Sequence, residues 1–371
     1  MKILVGLLFV YFLYVIFENI YKKIWDKGLS VSVEFKKNFA VEGDENELTE
    51  VVVNEKFLPL PMIKVNFYTH KNITFGKGEN SAKTDKSYRA DIFTMLPYQK
   101  ITRRLPFKCS KRGYYTIDDI SVNASDPLMT LRLLKNFGAD ASLLVYPKGV
   151  DAQKLDVPFA KMMGMVIANR FSYEDPFEFR TIRQYQSYDS MKSVNWKASA
   201  KTDSLLVNAY NYTVEQEICL LLNFECDTTF GDEGLKEEAL QLASSLSEAF
   251  IEGGIPLSMY TNGVDMITSD MPYCERGSGK QHILTVKENL ARIVFPEIAE
   301  NFSGMLEDIS KKTGENVLPV LITPSTDKAL AEEYYKRYPK ERVWIVMHRP
   351  DFIPDLPETE GCTFIRWEVE Y

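Results

Sequence analysis

A chain of 371 residues exceeds one ordinary compact domain and points to about two or three. Its 45% hydrophobic content is enough for sizeable cores and excludes a disordered or collagen-like chain. Forty-four basic residues against 52 acidic ones give a net charge of -8, which argues against a generally basic nucleic-acid binder.

The first element is an uninterrupted apolar run, Ile3 to Phe17, between Lys2 and Glu18 and without an A-x-A-like cleavage site after it. Ile20, Tyr21, Ile24 and Trp25 extend a helix through the interface, with Lys22 and Lys23 snorkelling, so residues 1–27 read as a membrane anchor. Lys22, Lys23 and Lys27 follow the span and only Lys2 precedes it. The positive-inside tendency then puts the body in the cytoplasm. Five cysteines, at 109, 219, 226, 274 and 362, are odd in number, far apart and free of any C-x-x-C pairing. They predict neither a disulfide framework nor a zinc site and agree with a reducing compartment.

From Val31 to Thr69 the pattern is strand-like: SVSVEF, ELTEVVVN and IKVNFYT, separated by the turn Glu42-Gly43-Asp44-Glu45 and the stop Pro59-Leu60-Pro61. Further strands are expected at Lys100 to Phe107, Gly113 to Ile117, Asp119 to Val122 and Ser142 to Tyr146. About seven short strands argue for an Ig-like β-sandwich over residues 28–147. Lys100, Arg103, Arg104, Lys108, Lys111 and Arg112 form a basic stretch, either the solvated face of a strand pair or a patch for an anionic partner.

Residues 148 to about 180 lose periodicity and read as a connector, so 148–210 holds this connector and the segment after it. Over 211–371 the texture is α/β. Ile218 to Leu222 is a short apolar run suited to a strand buried on both faces. A helix follows from Leu235 to Ile251, then a strand at Leu257 to Tyr260. Helical spacing returns at Ile283 to Ile293, Phe302 to Ile309 and Lys328 to Arg337. Strands are expected at Val317 to Ile322, Val343 to Met347 and Thr363 to Val369. The alternation predicts a mostly parallel sheet with helices on both faces. The whole is a multidomain α+β chain.

Three histidines, His70, His282 and His348, stand in no nucleophile or metal motif. Gly277-Ser278-Gly279-Lys280 fails as a phosphate loop, because Cys274 replaces the first glycine and Gln281 the magnesium-binding hydroxyl; it reads as a turn before a helix. The densest polar constellation runs from Phe179 to Tyr210 and interleaves Arg180, Arg183, Lys192, Lys197 and Lys201 with Tyr185, Asp189, Asn195 and Trp196. Such a mixture suits either phosphate or nucleic-acid binding, or a buried network with Asp189 paired to Arg183 and Trp196 plugging a seam.

This stretch resembles the signature of the bacterial domain of unknown function 58 family, L-R-x-Y-x-x-G-D-x-x-R-x-I-x-W-x-x-S-A-R. Arg183, Tyr185, Asp189, Asn195, Trp196, Ala198, Ser199 and Ala200 fall on or beside that pattern. Tyr188 stands at its glycine, and Lys192 and Lys201 stand at two of its arginines. Glu42-Gly43-Asp44, Arg112-Gly113-Tyr114-Tyr115, Asp126-Pro127 and Val145-Tyr146-Pro147 are similar to its flanking landmarks.

The resemblance implies that the final domain is von Willebrand A-like and Rossmann-type. Such domains hold a divalent cation through D-x-S-x-S after the first strand, where hard oxygen ligands suit it. Here that place reads Asn223-Phe224-Glu225-Cys226-Asp227, and Thr323-Pro324-Ser325 stands where a further aspartate is common. The site is degenerate, and neither a metal nor another cofactor is expected. The resemblance further implies a membrane-anchored interaction protein that works with a MoxR-type AAA ATPase in assembly or maturation of envelope complexes, and the lack of an identifiable nucleophile, histidine base or metal triad in the sequence argues against an enzyme. The acidic flank at Asp232, Glu233, Glu237, Glu238, Glu248 and Glu252 is a docking candidate. The competing reading is an enzyme acting on an envelope or phosphate-bearing substrate through Arg183, Asp189 and Lys201. On the interaction reading, Arg183, Tyr185, Asp189, Asn195, Trp196, Ser199, Ala200 and Lys201 form the signature surface, with Trp196 largely buried.

Overall fold

The computed structural model describes residues 2–75, 81–83, 86–172, 174–186, 191–202, 204–212, 216–226, 232–296, 300–314, 316–352, 354 and 361–370. The chain divides into two units, Met1–Lys148 and Gly149–Tyr371.

The first unit opens with α1 (Lys2–Ile24), of which Ile3–Ile24 is long and apolar enough to cross a membrane. The strands that follow are β1 (Leu29–Phe35), β2 (Phe39–Val41), β3 (Glu45–Asn54), β4 (Leu60–His70), β5 (Ile73–Phe75), β6 (Ser81–Lys83), β7 (Lys86–Met95), β8 (Lys100–Cys109), β9 (Gly113–Ser125) and β10 (Arg132–Tyr146). They form two sheets, β1-β3-β8-β5 and β2-β10-β9-β4-β7-β6, antiparallel except where β2 runs parallel to β10. Residues alternate strictly along β1, Leu29, Val31, Val33 and Phe35 facing inward, which is the signature of a half-buried strand. Leu48, Val52, Ile63, Phe67, Ile120 and Leu143 fill the core.

The expected break between Ile117 and Asp119 is absent, because β9 runs through it. Asp118 and Asp119 are both exposed, so the inward alternation slips there, and an extra residue between Gly138 and Ala141 of β10 absorbs the slip as a bulge. The basic stretch on β8 is a paired strand face. Lys108 lies opposite Glu45, Arg104 is 3.9 Å from Glu47, and Arg103 reaches the fully buried Glu50 at 3.5 Å.

In the second unit the expected connector is instead a helix, α2 (Ala152–Ser172). Leu155, Phe159, Met162, Met163 and Val166 recur at helical spacing and join the core beneath the sheet. Pro158 within the helix disguised that period, since it removes one backbone donor without ending the element. Next come β11 (Glu174–Gln184), a single 3₁₀ turn at Met191–Ser193, α3 (Trp196–Thr202) and β12 (Leu206–Tyr212), with β11 and β12 paired antiparallel.

The rest is β13 (Glu217–Leu222), α4 (Glu233–Glu252), β14 (Leu257–Thr261), β15 (Val264–Asp265), β16 (Cys274–Gly277), α5 (Lys280–Arg292), β17 (Ile293–Val294), α6 (Phe302–Lys312), β18 (Val317–Thr323), α7 (Lys328–Arg337), β19 (Arg342–His348) and β20 (Cys362–Glu368). One six-stranded sheet has the order β16-β14-β13-β18-β19-β20, parallel except for β16 at its edge. Numbered along the chain this is 3-2-1-4-5-6, with the direction of winding reversing between β13 and β18.

Every residue of β13, β14 and β19 is buried, as parallel strands covered on both faces require. Helices α2, α4 and α5 cover one face and α6 and α7 the other. The Gly277–Lys280 stretch is the turn expected of it. Gly279, at φ +81°, precedes the first residue of α5, a conformation that a side chain would strain.

Candidate functional site

The signature segment is built around Asn195. Its Oδ1 accepts from the Ala198 amide at 2.9 Å, capping α3, and its Nδ2 donates to Asn208 Oδ1 on β12 at 2.7 Å. One turn later Ser199 Oγ donates to Asn195 O at 2.8 Å and accepts from the Leu206 amide at 2.9 Å. Val194 bridges Val207, both buried, and the Tyr185 amide donates to Leu205 O at 2.9 Å. Asn195 and Ser199 are therefore the pins that tie a seven-residue helix to the strand pair.

Pinned this way, α3 turns Trp196 outward. The indole is 62% exposed, which corrects the expectation that it plugs a seam. As the first residue of the helix, beside a cap whose polar atoms face β12, it has no inward direction open to it. Ala200, four residues on, is exposed beneath it, and Lys197 and Lys201 are exposed at the same interval. Arg183 is half-buried and donates from Nη1 to Gln184 O at 3.2 Å. Tyr188, Asp189 and the side chain of Arg180 lie outside the described residues, and with them the expected Arg183–Asp189 pair.

The second candidate lies at the carboxyl end of the sheet, beside the reversal between β13 and β18, where open α/β sheets place their ligands. Asn223, immediately after β13, is fully buried. Its Oδ1 accepts from Asn262 Nδ2 at 2.8 Å and from the Glu225 amide at 3.0 Å, while its Nδ2 donates to Thr323 Oγ1 at 3.2 Å. Asn262 in turn accepts from the Phe224 amide at 2.9 Å and donates to Glu300 O at 3.0 Å. Thr323 Oγ1 accepts from the Ser325 amide at 3.0 Å.

Three loops, following β13, β14 and β18, are thus knotted by neutral side chains. The described donors do not fit a divalent cation. Both inward amide oxygens are taken, Asn223 Oδ1 by two N–H bonds and Asn262 Oδ1 by the Phe224 amide, and Glu225 accepts from the Phe302 amide at 3.4 Å. Among the described residues no group of three or more His, Cys, Asp or Glu side chains is placed to hold a metal. Asp227 lies outside them. Asn262 was missed by sequence reasoning; the signal for it was a polar Thr261-Asn262-Gly263 step straight after a wholly apolar strand.

A shallow cleft of about 410 Å³ opens between α6 and α7, with Asn301, Ser303, Glu307 and Glu332 on its walls. Glu307 and Glu333 hold Arg337 there, Arg337 Nη2 lying 2.8 Å from Glu307. The acidic flank of α4 is largely committed to internal contacts. Asp232 caps the helix through the Gly234 amide at 2.8 Å and receives Arg349 in a two-point contact; the arginine also donates to Glu370 O at 2.6 Å. Hydrogen bonding from that guanidinium holds the Asp232 carboxyl below the usual carboxylate range. Glu238 accepts from Trp367 Nε1 at 3.3 Å, and Glu248 pairs with Lys287 at 2.9 Å.

Residues 181–338 match the family described as "Protein of unknown function DUF58". This supports that family for the segment spanning the signature, the β13–β18 reversal and α7. No curated protein matches the sequence. Among solved structures, the CARDB domain of a Pyrococcus furiosus protein in complex with di-metal ions is similar at 16% identity and a TM-score of 0.23, over 32% of this chain and 94% of that one. The solution structure of the same domain gives 15%, 0.20, 30% and 94%. A non-cellulosomal cohesin from Archaeoglobus fulgidus gives 7%, 0.22, 31% and 91%. At these identities and scores none of them bears on what this chain does.

Proposed function

We propose that this chain is a bacterial membrane-anchored interaction protein, held by α1 with its body in the cytoplasm, that binds partners rather than transforming a substrate. Its second unit is read as a von Willebrand A-like domain, on the strand order 3-2-1-4-5-6 with an antiparallel third strand. The ion of such domains is replaced in function by the Asn223-Asn262-Thr323 knot. The knot fixes the loops at the carboxyl edge without charge.

The observation that carries the interaction reading is Trp196. An indole left 62% exposed on a helix that two separate side chains pin in place has the size and the fixed setting of an interface anchor. Lys197 and Lys201 beside it suit an acidic partner. By the family resemblance the partner is a MoxR-type AAA ATPase, engaged at the signature rather than at α4, where Asp232, Glu238 and Glu248 are held in internal contacts.

The test is capture of the organism's MoxR-like ATPases by the detergent-solubilised full chain, with and without nucleotide. Wild type is expected to retain one of them. Trp196→Ala is expected to lose at least about tenfold in affinity, the range of a hot-spot tryptophan, with its melting temperature unchanged. Retention by Trp196→Ala equal to wild type discards this surface, and failure to capture any such ATPase discards the partner.

A further inference from the structure

At the end of the sandwich where α1 joins it, three loops present large apolar side chains to solvent. Phe57 is 79% exposed, Tyr98 and Met129 are each 70% exposed, and Leu96 and Leu128 are exposed nearly as far. The loops are one structure. The Tyr98 amide donates to Lys56 O at 3.2 Å, and the buried Asn54 donates from Nδ2 to both Leu58 O and Leu96 O at 3.0 Å. Tyr21 of α1, fully buried, places its hydroxyl 3.1 Å from Pro59 O and 3.3 Å from Ser125 O. Tyr98 and Met129 both sit at φ +55°, an uncommon conformation for bulky residues. A conformation of that kind persists only where the surrounding structure fixes it.

The third loop, Asp126 to Leu131, climbs along the helix. Tyr14 Oη donates to Thr130 Oγ1 at 3.0 Å, and Thr130 Oγ1 donates to Asp126 Oδ2 at 2.9 Å. The Leu131 amide completes the bonding of Asp126 at 2.7 Å, so the loop's only carboxylate is buried and internally bonded. A bilayer core of about 30 Å needs roughly 20 helical residues at about 1.5 Å each. The part of α1 before Tyr14 supplies only about 16–18 Å of that. If α1 spans, the level of Tyr14 and Thr130 therefore lies at or inside the edge of the apolar slab, and the loop beside it must be compatible with lipid.

Resting on the reading of α1 as a spanning helix, we propose that the three loop tips form an apolar collar, Phe57, Leu96, Tyr98, Leu128 and Met129, that inserts into the membrane interface and seats the sandwich against the bilayer. The occupant of this surface is lipid, because the patch is continuous with the helix that enters it. Exposed Lys23, Lys27 and Arg132 stand near the same end, as headgroup-facing cations do.

The test uses the full chain in vesicles of phosphatidylcholine and phosphatidylglycerol, in a Cys226→Ser/Cys362→Ser background whose remaining cysteines, Cys109, Cys219 and Cys274, are buried. An environment-sensitive fluorophore is attached at Met129→Cys, at Leu8→Cys within the helix, and at Lys71→Cys on the turn at the far end of the sandwich. Lipids doxylated near the top of the acyl chain are the quenchers. The Met129 label is expected to be blue-shifted and quenched as strongly as the Leu8 label, and the Lys71 label is expected to be unaffected. Quenching at Leu8 but not at Met129 overturns the collar and leaves the anchor standing. Quenching at neither overturns both. Should the Met129 variant fail to fold, Phe57→Cys and Leu96→Cys read the same collar by the same criteria.

Discussion

Replacing Asn223 by alanine is the sharpest test of the knot at the carboxyl edge of the sheet. The substitution removes one acceptor that serves two donors and one donor that serves Thr323, on a side chain that is itself fully buried. Asn262 keeps its bond to Glu300 O and the Thr323 hydroxyl keeps the Ser325 amide, so the groups left without these partners are one Asn262 hydrogen and the Glu225 amide. Each unmet buried group costs about 1–3 kcal/mol, and readmission of water relieves part of the sum. A loss of about 2–4 kcal/mol is expected, which for a unit of this size lowers its melting temperature by roughly 10 °C. Calorimetry of the detergent-solubilised chain, with urea unfolding followed through the fluorescence of Trp344 and Trp367, measures it. Asn262→Ala and the double variant complete a cycle, in which residues sharing a network couple by more than about 1 kcal/mol. A loss below about 1 kcal/mol for Asn223→Ala, or strict additivity, would refute the knot as a structural unit.

Tyr334, fully buried under the sheet, donates toward Pro319 O at 3.0 Å and Val343 O at 2.9 Å; Tyr334→Phe is expected to cost about 1–3 kcal/mol by the same urea assay. The Asp232 carboxyl titrates below its unfolded value, so its contribution is present above about pH 4 and lost as pH falls through the folded pKa. Asp232→Asn is accordingly expected to be less stable than wild type at pH 7, with the gap closing in acid; a gap constant from pH 7 to pH 3 contradicts the Arg349 pairing. The full chain is expected to stay with membranes through high-salt washing, since insertion of an apolar helix is not screened as surface attraction is; release into the wash contradicts the anchor.

Much of the fold could be read from hydrophobic periodicity because it was imposed by burial. The runs Ile218 to Leu222 and Val343 to Met347 are apolar throughout because helices cover both faces of their strands, and the β1 alternation persists because only one face is covered. Where geometry rather than burial sets the outcome, the pattern was silent. Pro158 concealed α2, and a bulge hid the continuity of β9. The direction of Trp196 depends on which neighbour caps α3, and that is decided by Asn208 thirteen residues later. The candidate site was legible as a location, Asn223 and Thr323, but not as a network. Asn262 reaches it from a strand whose neighbourhood with β13 only the sheet order reveals.

A carboxylate at position 223 would carry a charge into a place with no cation among its described neighbours and would need an ion or a shifted pKa to stay there. The amide supplies a donor and an acceptor at once, so the loops after β13, β14 and β18 hold one another with no ligand required to complete them. On the proposed interaction reading, selectivity for a partner comes from what other elements expose, and on the second unit the largest exposed apolar side chain among the described residues is the Trp196 indole. On that reading the α3 backbone that carries Trp196, Lys197 and Lys201 is set before a partner arrives, because Asn195 and Ser199 tie it to β12. That removes much of the ordering cost which association would otherwise meet.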